Sequence, residues 1–70
     1  MELECELRVI LAKKDMRLKD LAIKTDLNYN YLSDLNNKRK EPGIYNALLI
    51  ANALNVRVEE IWYIKKITCN

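Results

Sequence analysis

The sequence has no histidine and no phenylalanine, and its 70 residues include one glycine, one proline and two cysteines. Without histidine, acid–base pairs, nucleophilic triads and most zinc sites lose their commonest member, so an enzyme is disfavoured and no metal or cofactor is implied. Cys5 and Cys69 stand near opposite ends with no Cys-x-x-Cys spacing. They read as two free thiols in a reducing cytoplasm rather than as a metal knuckle or a disulfide framework. No secretory signal is visible, and no apolar run approaches the ~20 residues that span a bilayer. The expectation is a soluble cytoplasmic protein with no membrane partner.

What is abundant points to helices. Eleven Leu and seven Ile stand against a single Gly, whereas small β-rich domains need more turn glycine and more aromatic residues. A chain this short builds one core at most and is marginal as a monomer, which raises the question of oligomerisation. The expected fold is therefore all-α, one domain over residues 1–70 with its core over about 3–62 and a C-terminal extension at 63–70.

The net charge of +2 says little, but its distribution says more. Residues 13–40 hold eight Lys and Arg against four Asp, a local excess of +4, and the remainder of the chain carries −2. The excess ends in the dense run Lys38-Arg39-Lys40.

Along the chain, Leu3, Leu7, Ile10 and Leu11 make an apolar stripe that predicts a first helix over about residues 2–13. Asp15 suits the left-handed residue that ends it. A second helix runs from Arg17 to about Thr25, turns at Asp26-Leu27, and gives way to a third over about 28–37 with Asn28 as N-cap. Placing Tyr29 at zero and turning about 100° per residue puts Ser33 near 40°, Asn37 near 80° and Asn30 near 100°, with Leu35 and Leu32 opposite near 240° and 300°. One face is aliphatic and the other bears hydrogen-bonding side chains. Pro42 closes a basic loop, and Ile44, Ala47, Leu48, Ala51 and Leu54 define a fourth helix that stops at Asn55. Val58 begins a fifth with Glu59 and Glu60 in its first turn, where the helix dipole favours acids. Periodicity leaves residues 62–67 open, as an extension of that helix or a short arm. The expected core is Leu3, Leu7, Leu21, Leu32, Leu35, Leu48, Ala51, Leu54 and Ile61.

With two short helices joined by so tight a turn, the chain from Leu7 to Trp62 resembles the phage-repressor and Cro-like (XRE) family of helix-turn-helix DNA-binding proteins. Leu21-Ala22, Asp26-Leu27, Leu32-Ser33, Leu35, Pro42, Ala51, Leu54, Val56 and Glu59-Glu60-Ile61-Trp62 fall on that family's pattern without a gap. The resemblance implies a compact five-helix, lambda-repressor-like domain whose third helix enters the major groove of double-stranded DNA. Carried over by register, the base readers are Asn28, Tyr29, Asn30, Ser33 and Asp34. The phosphate contacts are Arg17, Lys19, Asn37, Lys38, Arg39 and Lys40.

Five positions depart from the pattern. Leu18 stands where the family usually has Gln, and Leu11 and Asn36 replace a frequent Arg–Glu pair. Asp26 and Lys38 stand at its turn glycines. Leu49, Trp62, Tyr63, Ile64 and Ile67 are apolar residues left over from the core, and they suggest a homodimer seam. The implied function is a transcriptional regulator, a repressor of near-palindromic operators with no small-molecule effector evident. The alternative is an antitoxin-like module that binds a protein partner through residues 62–67.

Overall fold

Residues 2–65, the part of the chain described by the computed structural model, form five helices and a two-stranded ribbon. In chain order these are β1 (Glu2–Cys5), α1 (Leu7–Lys13), α2 (Leu18–Thr25), α3 (Tyr29–Asn36), α4 (Ile44–Leu54), α5 (Val58–Ile61) and β2 (Trp62–Lys65). The helical domain is as expected, and α2 to α5 lie close to the ranges read from the sequence.

The first helix is a correction, because it starts at Leu7 rather than near residue 2. Residues 2–5 instead run antiparallel to β2, with Leu3 opposite Ile64, Glu4 opposite Tyr63 and Cys5 opposite Trp62. From Glu2 to Leu7 polar and apolar residues alternate at every step, a strand period that coexists with the i, i+4 spacing of Leu3 and Leu7. The aromatic and β-branched run Trp62-Tyr63-Ile64 supplies the matching strand. Two strands alone are barely stable in water. Here one face of the ribbon lies on the helices, through Leu3, Cys5 and Trp62. A further backbone bond, from Glu6 N–H to the Ile61 carbonyl at 2.7 Å, ties the start of α1 to the end of α5. The part of the C-terminal extension that the structure describes, residues 63–65, is therefore strand.

Leu7, Leu21, Leu32, Leu35, Ile50, Leu54 and Ile61 are sealed from solvent and fill the centre. Ala22, half-buried, is small where α2 meets α3, and Leu27 plugs the turn between them. Two expected core positions shift. Leu48 is 52% exposed and Ile50 takes its place, so α4 turns Ala47, Ile50, Ala51 and Leu54 inward. Leu3 is only half-buried, because it sits on the ribbon and not on a helix.

The chain turns its corners without glycine. Asp15, Asp26, Lys38 and Asn55 all have left-handed backbones, with φ of 53°, 59°, 63° and 58°, while the single glycine, Gly43, has an ordinary φ of −69°. Asp and Asn tolerate this conformation through local hydrogen bonding, and Lys38 does not share that advantage. At Asp15, Lys38 and Asn55 the closing bonds repeat. Met16 N–H reaches the Leu11 carbonyl, Arg39 N–H that of Asp34 and Val56 N–H that of Ala51, at 2.9, 2.8 and 3.0 Å. Each satisfies a helix-end carbonyl that would otherwise lack a donor.

Candidate nucleic-acid interface

The junction of α2 and α3 is set by three residues, Asp26, Leu27 and Asn28. Buried Thr25 donates its hydroxyl to the Leu21 carbonyl at 2.8 Å and accepts from Leu27 N–H at 3.4 Å, which fixes the exit from α2. Asn28 then caps α3, its Oδ1 accepting from the N–H groups of Asn30 at 2.7 Å and Tyr31 at 3.3 Å. Its side-chain oxygen is occupied by this cap, which leaves its amino group for any other contact. Leu32 and Leu35 anchor the helix from below, both at 0% exposure. On the opposite face Tyr29 and Asn30 are exposed, and Ser33 and Asp34 are half-buried. The polar face read from the sequence is thus the outward one.

Cations precede and follow this face along the chain. Arg17 and Lys19 are exposed at the start of α2, where Arg17 N–H also donates to the Asp20 carboxylate at 3.2 Å. Beyond α3, Lys38, Arg39 and Lys40 line the loop that leads to α4. Each of these three is paired with a carboxylate: Lys38 with Glu4 at 2.9 Å, and Arg39 and Lys40 with the two oxygens of Asp34 at 3.2 and 3.7 Å. The Glu4 contact holds the Lys38 amine above its ordinary value, and Lys38 in turn holds the Glu4 carboxyl below its own. Lys40 Nζ also lies 5.9 Å from the centre of the Tyr31 ring, within cation–π range. The Tyr31 hydroxyl accepts from Asn46 Nδ2 at 3.0 Å, joining α3 to the start of α4.

Asn37 does not stand free for a phosphate. Its Oδ1 accepts from Arg8 Nη2 at 2.9 Å and its Nδ2 donates to the Ser33 carbonyl at 3.0 Å, so its amide braces α3 against α1. This contact replaces the family's Arg–Glu tie one turn earlier in α1. Leu11, at the Arg position, is 6% exposed, and the Asn36 Oδ1 is buried with no hydrogen-bond partner among the described residues. Exchanging both members of a buried ion pair avoids stranding one charge. Leu18, at the Gln position, packs against the core instead of bracing α3 with a polar contact. Sequence reasoning missed Arg8, Glu4 and Asn46. A hint was available for Glu4 alone, in the alternation that places β1.

The residues taken for a seam separate into groups. Trp62 faces inward at 8% exposure and belongs to the core, a correction that follows from the ribbon fold. Tyr63 and Ile64 are exposed on β2, and the Tyr63 hydroxyl donates to Glu6 at 2.9 Å, which holds that phenol above its ordinary value. Half-buried Leu49 lines a different surface, an open groove of about 760 Å³ shared by Tyr45, Leu48, Val56 and Val58. Ile67 lies outside the described residues, as does Cys69. Cys5 is a half-buried free thiol whose burial pushes its ionisation up, away from nucleophilic use.

A tight helix pair whose second member is apolar below, hydrogen-bonding above and flanked by cations defines a helix-turn-helix DNA-binding protein. The pattern of the Cro/C1-type HTH DNA-binding domain matches residues 6–66. The chain belongs to that family, which is one of DNA-binding regulatory domains and not of enzymes. Among curated proteins none matches the chain. No helix of the described residues is long and apolar enough to cross a membrane.

Proposed function

We propose that the chain is a sequence-specific regulator that binds double-stranded DNA as a homodimer and represses by occupying a near-palindromic operator. The observation that carries this reading is the outward polar face of α3, held up by sealed Leu32 and Leu35, with exposed cations before it at the start of α2 and after it in the following loop. In this reading Tyr29, Asn30 and Ser33 read base edges with Asp34, and the amino group of Asn28 joins them. Asn30 is suited to bidentate pairing with adenine and Tyr29 to packing on a thymine methyl. Arg17, Lys19, Lys38, Arg39 and Lys40 grip phosphates, which supplies affinity but no sequence information. Asn37 acts by holding α3 in place.

The pairing surface is assigned to the α4–α5 groove that contains Leu49, because exposed Tyr45 and Leu48 and half-buried Val56 and Val58 make it apolar, while Arg57 and Glu59 both stand at its edge. Two copies joined there by a two-fold axis each offer the other one cation and one carboxylate. Two copies then present α3 helices about 34 Å apart, one turn of DNA.

Selection of duplexes from a randomised pool tests the whole reading. Inverted-repeat sites bound about 10³-fold or more above random duplex are expected. Equal binding to selected and random duplex would sink it. Sedimentation of Leu48→Glu should give a monomer where the unsubstituted chain is a dimer, and a monomer in both would shift the groove to the alternative reading, a site for a different protein.

A further inference from the structure

One carboxylate on the recognition helix serves two sets of partners. Asp34 lies one turn beyond Asn30 on the same side of α3, about 40° around the axis. Its two oxygens nevertheless face the loop, Oδ1 toward Arg39 Nε at 3.2 Å and Oδ2 toward Lys40 Nζ at 3.7 Å. The loop does not depend on those contacts for its course, because Arg39 N–H is bonded to the Asp34 carbonyl at 2.8 Å. The cation side chains are 64% and 57% exposed, so their pairing with Asp34 is weak in water and open to competition from a phosphate.

We propose that Asp34 couples the grip on phosphate to the reading of one base pair and specifies cytosine there. The inference rests on the DNA-reading role proposed above. When phosphates draw Arg39 and Lys40 away, the carboxylate is left at the major groove as an acceptor without a donor. Cytosine presents its N4 amino group there with no acceptor on its own base, the O6 beside it belonging to the paired guanine. Adenine sets N7 next to its amino group, and guanine and thymine present O6, N7 or O4, all of which repel a carboxylate. On a non-matching sequence Asp34 either keeps its cations from the phosphates or remains uncompensated among negative charges. Both outcomes weaken binding to the wrong DNA, and specificity gained by penalising competitors needs no extra contact to the right site.

The test compares the unsubstituted chain with Asp34→Asn and Asp34→Ala in selection from a randomised duplex pool, followed by titration of a selected and a random duplex. Sites selected by the unsubstituted chain should share a C·G pair at one position in each half-site. Both variants should lose that preference, with their ratio of selected to random affinity falling by about fivefold or more. Both should also bind random duplex about three- to tenfold more tightly. In a chain already carrying Arg39→Ala and Lys40→Ala, the gain on random duplex from Asp34→Asn should shrink by more than half. An undiminished gain would mean that Asp34 merely repels DNA and would overturn the coupling. Identical selected sites for the unsubstituted chain and Asp34→Asn would overturn the inference while leaving the DNA-reading role intact. If the unsubstituted chain selects no site, both fall together. Asn is isosteric with Asp and keeps the main-chain bond from Arg39, so circular dichroism should be unchanged.

Discussion

The helices α3 and α4 bury their inner faces in the same core, yet they present opposite chemistry to solvent. Below, α3 seals Leu32 and Leu35, and above it shows Tyr29, Asn30, Ser33 and Asp34. In α4, Ala47, Ile50, Ala51 and Leu54 turn inward while Ile44, Tyr45 and Leu48 are exposed, at 75%, 73% and 52%. A face of hydrogen-bonding groups between cations suits a charged polymer with polar edges. An apolar face that gains nothing from water suits another protein surface. The fold thus turns a polar face outward on α3 and an apolar one on α4, and the function proposed above takes the first as the DNA side and the second as the pairing side.

The sharpest way to break this contrast is to probe α4 on both faces. Ile50→Ala empties a sealed site and should cost about 2–5 kcal/mol in urea unfolding. Leu48→Ala, only two residues away but on the exposed face, should stay within about 0.5 kcal/mol when measured at concentrations where the chain is monomeric. A larger loss at Leu48 than at Ile50 would mean that the inward face is the one periodicity suggested, centred on Leu48. Trp62→Ala should resemble Ile50→Ala, with a loss of about 3–5 kcal/mol, since Trp62 is a core residue and not part of a seam.

How much of this was legible in the sequence follows from the same contrast. The inward face of α3 could be read because its apolar and polar residues divide cleanly around the axis. In α4 nearly every position is apolar, so periodicity located the helix without fixing its rotation, and Leu48 was exchanged for Ile50. The stretch Glu2–Leu7 satisfied a helical and a strand spacing at once, and what decided between them was pairing with Trp62–Lys65, a contact that no local pattern contains. The positive loop was visible as a run, but its counter-ions were not, since Glu4 lies 34 residues from Lys38. Left-handed turns at Asp15, Asp26 and Asn55 were readable from the chemistry of Asp and Asn, whereas Lys38 could be placed only through the family's glycine.

Within α3, two asparagines sharpen the distinction between holding the reading face and reading with it. Asn28→Ala removes the acceptor for two backbone N–H groups and should cost about 1 kcal/mol of stability. Asn30 is exposed, and its side chain has no hydrogen bond among the described residues. Asn30→Ala should therefore leave unfolding within about 0.5 kcal/mol. It should instead lose discrimination at one base position by about 1–3 kcal/mol, measured by titration of duplexes that differ there. A stability loss at Asn30 as large as that at Asn28 would place its side chain in the scaffold.

The smallest effect concerns the link between the ribbon and the DNA side, the ion pair of Glu4 with Lys38. The Glu4 carboxyl is held below its ordinary value by Lys38, so the folded state favours the ionised acid. Its contribution is full above the ordinary carboxylate range and is lost as pH falls through the lowered value. The Lys38 amine is held above its ordinary value, so its contribution is full below the ordinary amine range and is lost as pH rises through the raised value. Neutral pH lies between these limits, where both partners are charged. Glu4→Gln should thus melt slightly below the unsubstituted chain near neutrality, and the two curves should merge in acid once Glu4 is protonated. Added salt should close the same gap at neutral pH, since both groups are accessible to counter-ions. A gap that persisted in both acid and salt would mean that Glu4 acts through the packing of β1 on the helices, and the ribbon would then belong to the scaffold with no electrostatic link to the loop.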